Sequence, residues 1–149
     1  MTKEGDGQIK RACYNNPITK HIRKGEFMII KIDYNSEEAI YVQLRNQIIL
    51  GIATSQLREG DSLPSVRQLA DEIGINMHTV NKAYTVLKQE GIIQLDRRRG
   101  AVIAIDMNKL QALNDMKAQL AVVLAKGKCK NISREEVYAL VDEIFEEYK

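Results

Sequence analysis

From Ser36 onward the apolar positions fall first into helical and then into alternating patterns. Met28 to Asp33 is a short apolar-rich stretch that reads as a strand or an extended lead-in. Ser36 then offers an N-cap, with Glu37 and Glu38 in the first turn, and Tyr41, Leu44, Ile48 and Ile52 recur on one helical face. This predicts a helix from Ser36 to about Ser55. Gly60-Asp61-Ser62 makes a turn, and because Pro64 cannot lie inside a helix, Ser65 becomes the N-cap of a second helix reaching about Ile73. Leu69, Ala70 and Ile73 form its apolar face, and Gly74 can take the left-handed conformation that ends it. Asn76 caps a third helix to about Glu90, stopped by Gly91, whose buried face is Val80, Ala83, Tyr84 and Leu87. Ile92 to Leu95 and Ala101 to Ile105 are β-rich runs flanking Asp96 to Gly100, which predicts a hairpin. Two helices a few residues apart followed by a hairpin describe a winged helix-turn-helix.

Beyond residue 106 the pattern is helical again. Leu110, Leu113, Met116, Leu120, Val123 and Leu124 form a stripe on a helix from about Asn108 to Ala125, which Gly127, inside the basic run Lys126 to Lys130, is expected to break. Ser133 and Glu136 make a capping-box pattern for a last helix carrying Val137, Leu140, Val141 and Ile144. Two helices of this size cannot bury both faces alone, so they are expected to pack on the DNA-binding domain or on a partner, and symmetric dimerisation is the economical answer. The fold class is therefore mainly α with a small β-hairpin: a winged helix-turn-helix domain at 28–106, then a short two-helix dimerisation segment at 107–149. Residues 1–27 are polar and without period, which reads as a flexible tail. The codons of Lys24-Gly25-Glu26 can spell a purine-rich ribosome-binding sequence just before Met28, so Met28 is expected to be the natural start; the competing reading is a basic arm on phosphates.

Composition changes this picture little. With 44% hydrophobic and 28% charged residues and no apolar run near the roughly 18 residues of a membrane helix, no membrane partner is expected. The net charge of +2 dissolves on division: residues 28–106 carry nine Lys/Arg against ten Asp/Glu. Only local placement can then argue for nucleic acid. Cys13 and Cys129 lie far apart without metal-ligand spacing, so free thiols are expected and neither a metal nor a cofactor. The absence of an apolar segment at the N-terminus fits a cytoplasmic address.

The candidate chemistry is concentrated between Leu63 and Gly100. Opposite its apolar face the third helix carries His78, Asn81, Thr85 and Lys88, which suit base edges and phosphates but would equally suit a solvated surface. The Arg97-Arg98-Arg99 triplet at the hairpin tip shifts that balance, since arginine pairs with phosphates and enters narrow minor grooves. No nucleophile elbow, phosphate-binding glycine loop or metal cluster argues for an enzyme, and His21 and His78 have no partner at useful spacing. An aromatic content of 5% gives little support to RNA stacking. The competing class is a winged-helix protein-interaction module without DNA binding.

Tyr41-Val42-Gln43-Leu44, Leu57-Arg58-Glu59-Gly60-Asp61, Leu63-Pro64-Ser65-Val66-Arg67-Gln68-Leu69-Ala70, Thr79-Val80-Asn81-Lys82-Ala83-Tyr84, Leu87, Glu90-Gly91-Ile92-Ile93 and Arg99-Gly100 resemble, in order and spacing, the GntR family of bacterial transcription regulators. The segment 106–149, after the DNA-binding part, is too short for a large effector or aminotransferase-like domain, so the resemblance is to the small YtrA-like subfamily. It implies a transcriptional repressor that binds a pseudo-palindromic double-stranded DNA operator as a homodimer; the small-molecule effector is unknown. The implied DNA site comprises Ser65 and Arg67 on the second helix, Asn76, Met77, His78, Thr79, Asn81 and Lys82 on the third, and Arg97, Arg98, Arg99 and Gly100 of the wing. Leu113, Met116, Leu120, Val123, Leu124, Val137, Leu140, Val141 and Ile144 are implied in dimerisation. Met77-His78 departs from the basic residue or Pro-Asn of many relatives, and Met77 can offer only an apolar contact, as against a thymine methyl.

Overall fold

The computed structural model describes the backbone of residues 18–23 and 26–149, with side chains from Ile30 onward. Expectations that concern residues 1–17, 24 and 25 lie outside these. The chain divides into two compact units, the second beginning at Asp106.

In the first unit, β1 (Ile18–Arg23) pairs antiparallel with β2 (Glu26–Ile30), with Ile18 opposite Ile30 and His21 opposite Phe27. A tail without regular structure was the expectation here, and this hairpin corrects it over those strands. Thr19, Ile22, Phe27, Ile29 and Ile30 are β-favouring residues, and pairing satisfies the backbone groups of both runs. Ile30, only 2% exposed, ends β2 in the core.

The extended segment after Ile30 is held by two side-chain amides one helical turn apart. Gln47 accepts from the Lys31 N–H at 2.7 Å and donates to the Lys31 carbonyl at 2.5 Å. Gln43 accepts from Asp33 N–H at 2.9 Å and donates to the carbonyls of Asp33 at 3.0 Å and Glu38 at 2.9 Å. Alternate residues are thus paired as a neighbouring strand would pair them. This also explains why α1 runs Ile40–Ala53 instead of starting at Ser36. The Gln43 amide takes the Glu38 carbonyl, Ser36 Oγ accepts from Glu38 N–H at 3.1 Å in a local turn, and Ala39 stands at the N-cap without a side-chain bond.

Helix α2 (Val66–Ile73) starts at Ser65, whose side chain accepts from Gln68 N–H, and stops at Gly74 with φ +76°. Helix α3 (Met77–Gln89) starts at Asn76, which accepts from His78 N–H. Strands β3 (Ile93–Asp96) and β4 (Gly100–Ile103) pair with Ile93 opposite Ile103 and Asp96 opposite Gly100. Leu44, Ile48, Leu57, Leu69, Val80, Leu87, Ile93 and Ile103 form the fully buried centre, and Tyr41 and Ile52 pack at its margin. α1 lies against α3, where Arg45 donates from Nε to Glu90 at 3.0 Å and from Nη2 to the other carboxylate oxygen, while Lys82 Nζ sits 4.1 Å from the centre of the Tyr41 ring.

The second unit consists of α4 (Lys109–Cys129) and α5 (Arg134–Glu147). The expected stop at Gly127 is corrected: α4 continues through it, because a lone glycine costs a helix only about 1 kcal/mol. The turn comes at Asn131, with φ +59°, where the Ile132 N–H bonds back to the Gly127 carbonyl at 3.1 Å. At Gly127 an added Cβ would stand 3.7 Å from Ile132 Cδ1, an ordinary van der Waals contact, so this corner does not depend on the glycine for space. The capping box is formed, Ser133 N–H donating to Glu136 at 2.7 Å and Glu136 N–H to Ser133 Oγ at 3.2 Å. Neither helix buries a single residue in the isolated chain. Among the described residues no helix is long and apolar enough to cross a membrane.

Candidate nucleic-acid interface

The helix-turn-helix is set by a glycine turn and by one hydrogen bond between α3 and the start of α2. Gly74, Ile75 and Asn76 alone separate α2 from α3, and the left-handed glycine lets the chain reverse without a Cβ clash. The Tyr84 hydroxyl then donates to the Pro64 carbonyl at 2.7 Å, tying the middle of α3 to the residue before the N-cap of α2. Tyr84 is 4% exposed, and burial pushes its phenol well above the ordinary value of 10.0. It acts as a neutral donor. Sequence reading assigned Tyr84 to the buried face only and missed this tie. The cue available was its hydroxyl, because a buried tyrosine oxygen ordinarily finds a partner.

With Val80, Ala83, Tyr84 and Leu87 buried, His78, Asn81, Thr85 and Lys88 fall on the outward face of α3. His78 and Asn81 are exposed and Thr79 is half-buried. The Thr85 hydroxyl is turned back onto the Asn81 carbonyl at 2.8 Å. Met77 is 48% exposed at the first position of the helix, an apolar side chain left in solvent beside polar ones. Arg67, in the first turn of α2, is exposed and has no partner among the described residues. Ser65 and Asn76 are already engaged through their side-chain oxygens, accepting from Gln68 N–H at 3.1 Å and His78 N–H at 2.8 Å. Lys82 stands over Tyr41, on the flank of α3 that faces α1.

The hairpin tip is three residues long. Asp96 Oδ1 accepts from Arg98 N–H at 2.7 Å and Arg99 N–H at 2.9 Å, and Gly100 closes the turn with φ +74°. Those backbone donors, Arg99 first, hold the Asp96 carboxyl below its ordinary value of 3.8. The wing is also bound to the turn before α2. Gly60 N–H donates to the Ile103 carbonyl at 2.8 Å, Ile103 N–H to the Asp61 carbonyl at 2.9 Å and Leu63 N–H to the Ala101 carbonyl at 2.8 Å, so residues 60–63 run as a third edge of the hairpin. The three arginines do not share one fate. Arg97 and Arg98 are exposed with no side-chain partner among the described residues, whereas Arg99 Nη2 donates to the Gly60 carbonyl at 2.5 Å.

The nine expected dimerisation residues all lie on α4 and α5. Leu113, Met116, Leu120, Val123, Leu124, Leu140, Val141 and Ile144 are between 40% and 60% exposed, and Val137 is half-buried. Phe145, 63% exposed and in an edge-on contact with Tyr148, belongs to the same open apolar surface and was missed by the helical count. Among the described residues no group of side chains is suited to hold a metal.

Comparison with known proteins places this geometry in a family. The profile for bacterial regulatory proteins of the gntR family matches residues 36–103. The transcriptional repressor YtrA of Bacillus subtilis is 33% identical over 124 residues, covering 81% of this chain and 95% of that protein. A structure from Listeria monocytogenes, described as a transcriptional antiterminator, superposes with a TM-score of 0.69 at 29% identity, over 76% of this chain and 87% of the other. YtrA from Sulfolobus acidocaldarius, a GntR-family transcription factor, superposes with a TM-score of 0.52 at 42% identity, over 62% of this chain and 97% of its own. The matched profile spans the helix-turn-helix and the wing, and the chain belongs to the GntR family as a transcriptional regulator with a winged-helix DNA-binding domain.

Proposed function

We propose that the chain is a cytoplasmic repressor that binds a pseudo-palindromic duplex operator as a homodimer. The observation that carries this reading is the set of exposed polar side chains that the fold leaves unengaged. Arg67, His78 and Asn81 project from a helix-turn-helix whose interior is otherwise fully packed, and Arg97 and Arg98 project from the wing. In this reading α3 enters the major groove, Arg67, His78, Thr79 and Asn81 meet base edges or nearby phosphates, and Met77 meets an apolar edge such as a thymine methyl. Arg97 and Arg98 neutralise phosphates or enter the minor groove. Ser65, Asn76 and Gly100 serve by shaping the backbone, and Lys82, held by Tyr41, reaches phosphate only from the flank.

The dimer is supported by the open apolar surface of α4 and α5, which exceeds what scattered surface residues present. Repression is supported by the function named for the YtrA relative of Bacillus subtilis. A dimer with two α3 helices implies half-sites about one helical turn apart.

Selection of bound sequences from a random duplex pool tests the reading. It should return an inverted repeat, and Arg67→Ala should then weaken binding to that repeat at least about tenfold, as loss of a bidentate base contact does. Recovery of no preferred sequence, together with unchanged affinity for Arg67→Ala, would refute it.

A further inference from the structure

We propose that Arg99 is a positioning residue: it locks the wing onto the turn between α1 and α2 through the Gly60 carbonyl, so that Arg97 and Arg98 meet the duplex already in place. The proposal rests on the wing reaching DNA as described above. Gly60 is gripped from two sides. Its N–H donates to the Ile103 carbonyl at the end of β4, and its carbonyl accepts from Arg99 beside the tip. One peptide segment thus receives both ends of the second wing strand, and with φ +89° it adopts a conformation suited to glycine.

The need for such a lock follows from the size of the wing. Two four-residue strands with a three-residue tip are marginal by themselves, and only Ile93, Ala101, Val102 and Ile103 of the hairpin are buried. The base of the wing is therefore anchored by packing, but its tip has only polar contacts. Asp96 fixes the tip backbone through the Arg98 and Arg99 N–H groups, and the Arg99 side chain ties that backbone to the body. Without the tie the tip has to be ordered when DNA binds, at a cost of about 0.5–1.5 kcal/mol per side chain immobilised, or roughly a three- to tenfold loss of affinity. Arg97 and Arg98, with no side-chain partner among the described residues, are left to the duplex.

Salt titrations of affinity for the selected operator, made on the full chain, separate the roles. Arg97→Ala and Arg98→Ala should each flatten the slope of log affinity against log salt by about one, as removal of a single phosphate pairing does. Arg99→Ala should lower affinity about three- to tenfold at every salt concentration with the slope unchanged. Its loss should also disappear in the Arg97→Ala/Arg98→Ala background, because a positioning residue acts only through the groups it positions. In the free protein, exchange of the Gly60 amide hydrogen should speed up in Arg99→Ala and not in Arg98→Ala. A slope change in Arg99→Ala equal to that of Arg98→Ala, a fully additive loss, or no loss at all overturns the proposal. A different failure is also visible: if the Arg97→Ala/Arg98→Ala protein binds as tightly as the parent, the wing does not touch DNA and the broader reading of the interface falls.

Discussion

Replacing Tyr84 by phenylalanine removes one oxygen and leaves the ring in the core. That oxygen donates at 2.7 Å to Pro64, and Tyr84 is 4% exposed, so the substitution strands a partly buried carbonyl that water reaches poorly. A net hydrogen bond is worth about 1 kcal/mol and an unsatisfied buried group costs about 1–3, so a destabilisation of about 1–2 kcal/mol is expected. In a domain of this size that lowers Tm by about 4–8 °C per kcal/mol. The same phenol supplies a second, sharper signature. Burial raises its folded-state pKa above the ordinary 10.0, so the unfolded chain releases this proton first as pH rises. Stability from the neutral hydroxyl is fully present below pH 10 and is lost as pH climbs toward the raised folded value, at up to about 1.4 kcal/mol per pH unit.

Urea unfolding of parent and Tyr84→Phe between pH 8 and about pH 11 measures both effects. Other groups titrate in that range in both proteins, so the quantity to read is the difference between the two curves. The stability gap should be about 1–2 kcal/mol at pH 8 and should narrow above pH 10 as the parent loses its advantage. Operator affinity at pH 8 is expected to fall as well, because the tie sets the start of α2, and hence Arg67, against α3. A gap that stays constant with pH would show that the hydroxyl is not the buried donor described.

Two further perturbations address the wing and the second unit. Asp96→Ala should weaken operator binding while leaving Tm almost unchanged, since the exposed side chain supports only the tip, through the Arg98 and Arg99 N–H groups. For the proposed dimer, Leu120→Lys, on the apolar face of α4, should raise the dissociation constant at least about tenfold by sedimentation equilibrium, with helix content retained; unaltered self-association would remove α4 from the interface.

The parts of the fold legible in the sequence are those specified by residues close together in the chain. The ends of α2 and α3 follow from Ser65, Gly74, Asn76 and Gly91, each of which either caps with its own side chain or, for the glycines, adopts a positive φ. The wing register follows from two β-rich runs around a short polar tip. What was not legible turned on a competing contact that the local pattern does not announce. Ser36 carries a sound capping signal, yet α1 begins at Ile40, because the Gln43 amide binds the backbone of Asp33 and Glu38. Gly127 looks like a stop, but α4 passes through it to a corner shaped by Asn131 and Ile132. Arg97, Arg98 and Arg99 are indistinguishable as letters, and only the proximity of Gly60, 39 positions away, separates the third from the first two.

The same contrast explains how the interface is built. Most of the proposed DNA contacts, Arg67, His78, Asn81, Arg97 and Arg98, are exposed side chains with no partner among the described residues, so local sequence can nominate them. Their aim is set by residues that are not themselves contacts. Tyr84 orients the start of α2, Gly60 receives the wing, and Arg45 with Glu90 joins α1 to the far end of α3. A protein that reads DNA needs contacts that can vary with the operator and a frame that cannot. Substitutions that change specificity are therefore expected at Arg67, Met77, His78 and Asn81, whereas substitutions at Tyr84, Gly60 or Glu90 should lower affinity for every sequence. Met77 and His78 sit where the frame constrains least: one is an apolar side chain in solvent, the other has no side-chain partner among the described residues. In the proposed interface, substitutions in the first turn of α3 are therefore expected to shift the preferred bases more than substitutions in the frame do.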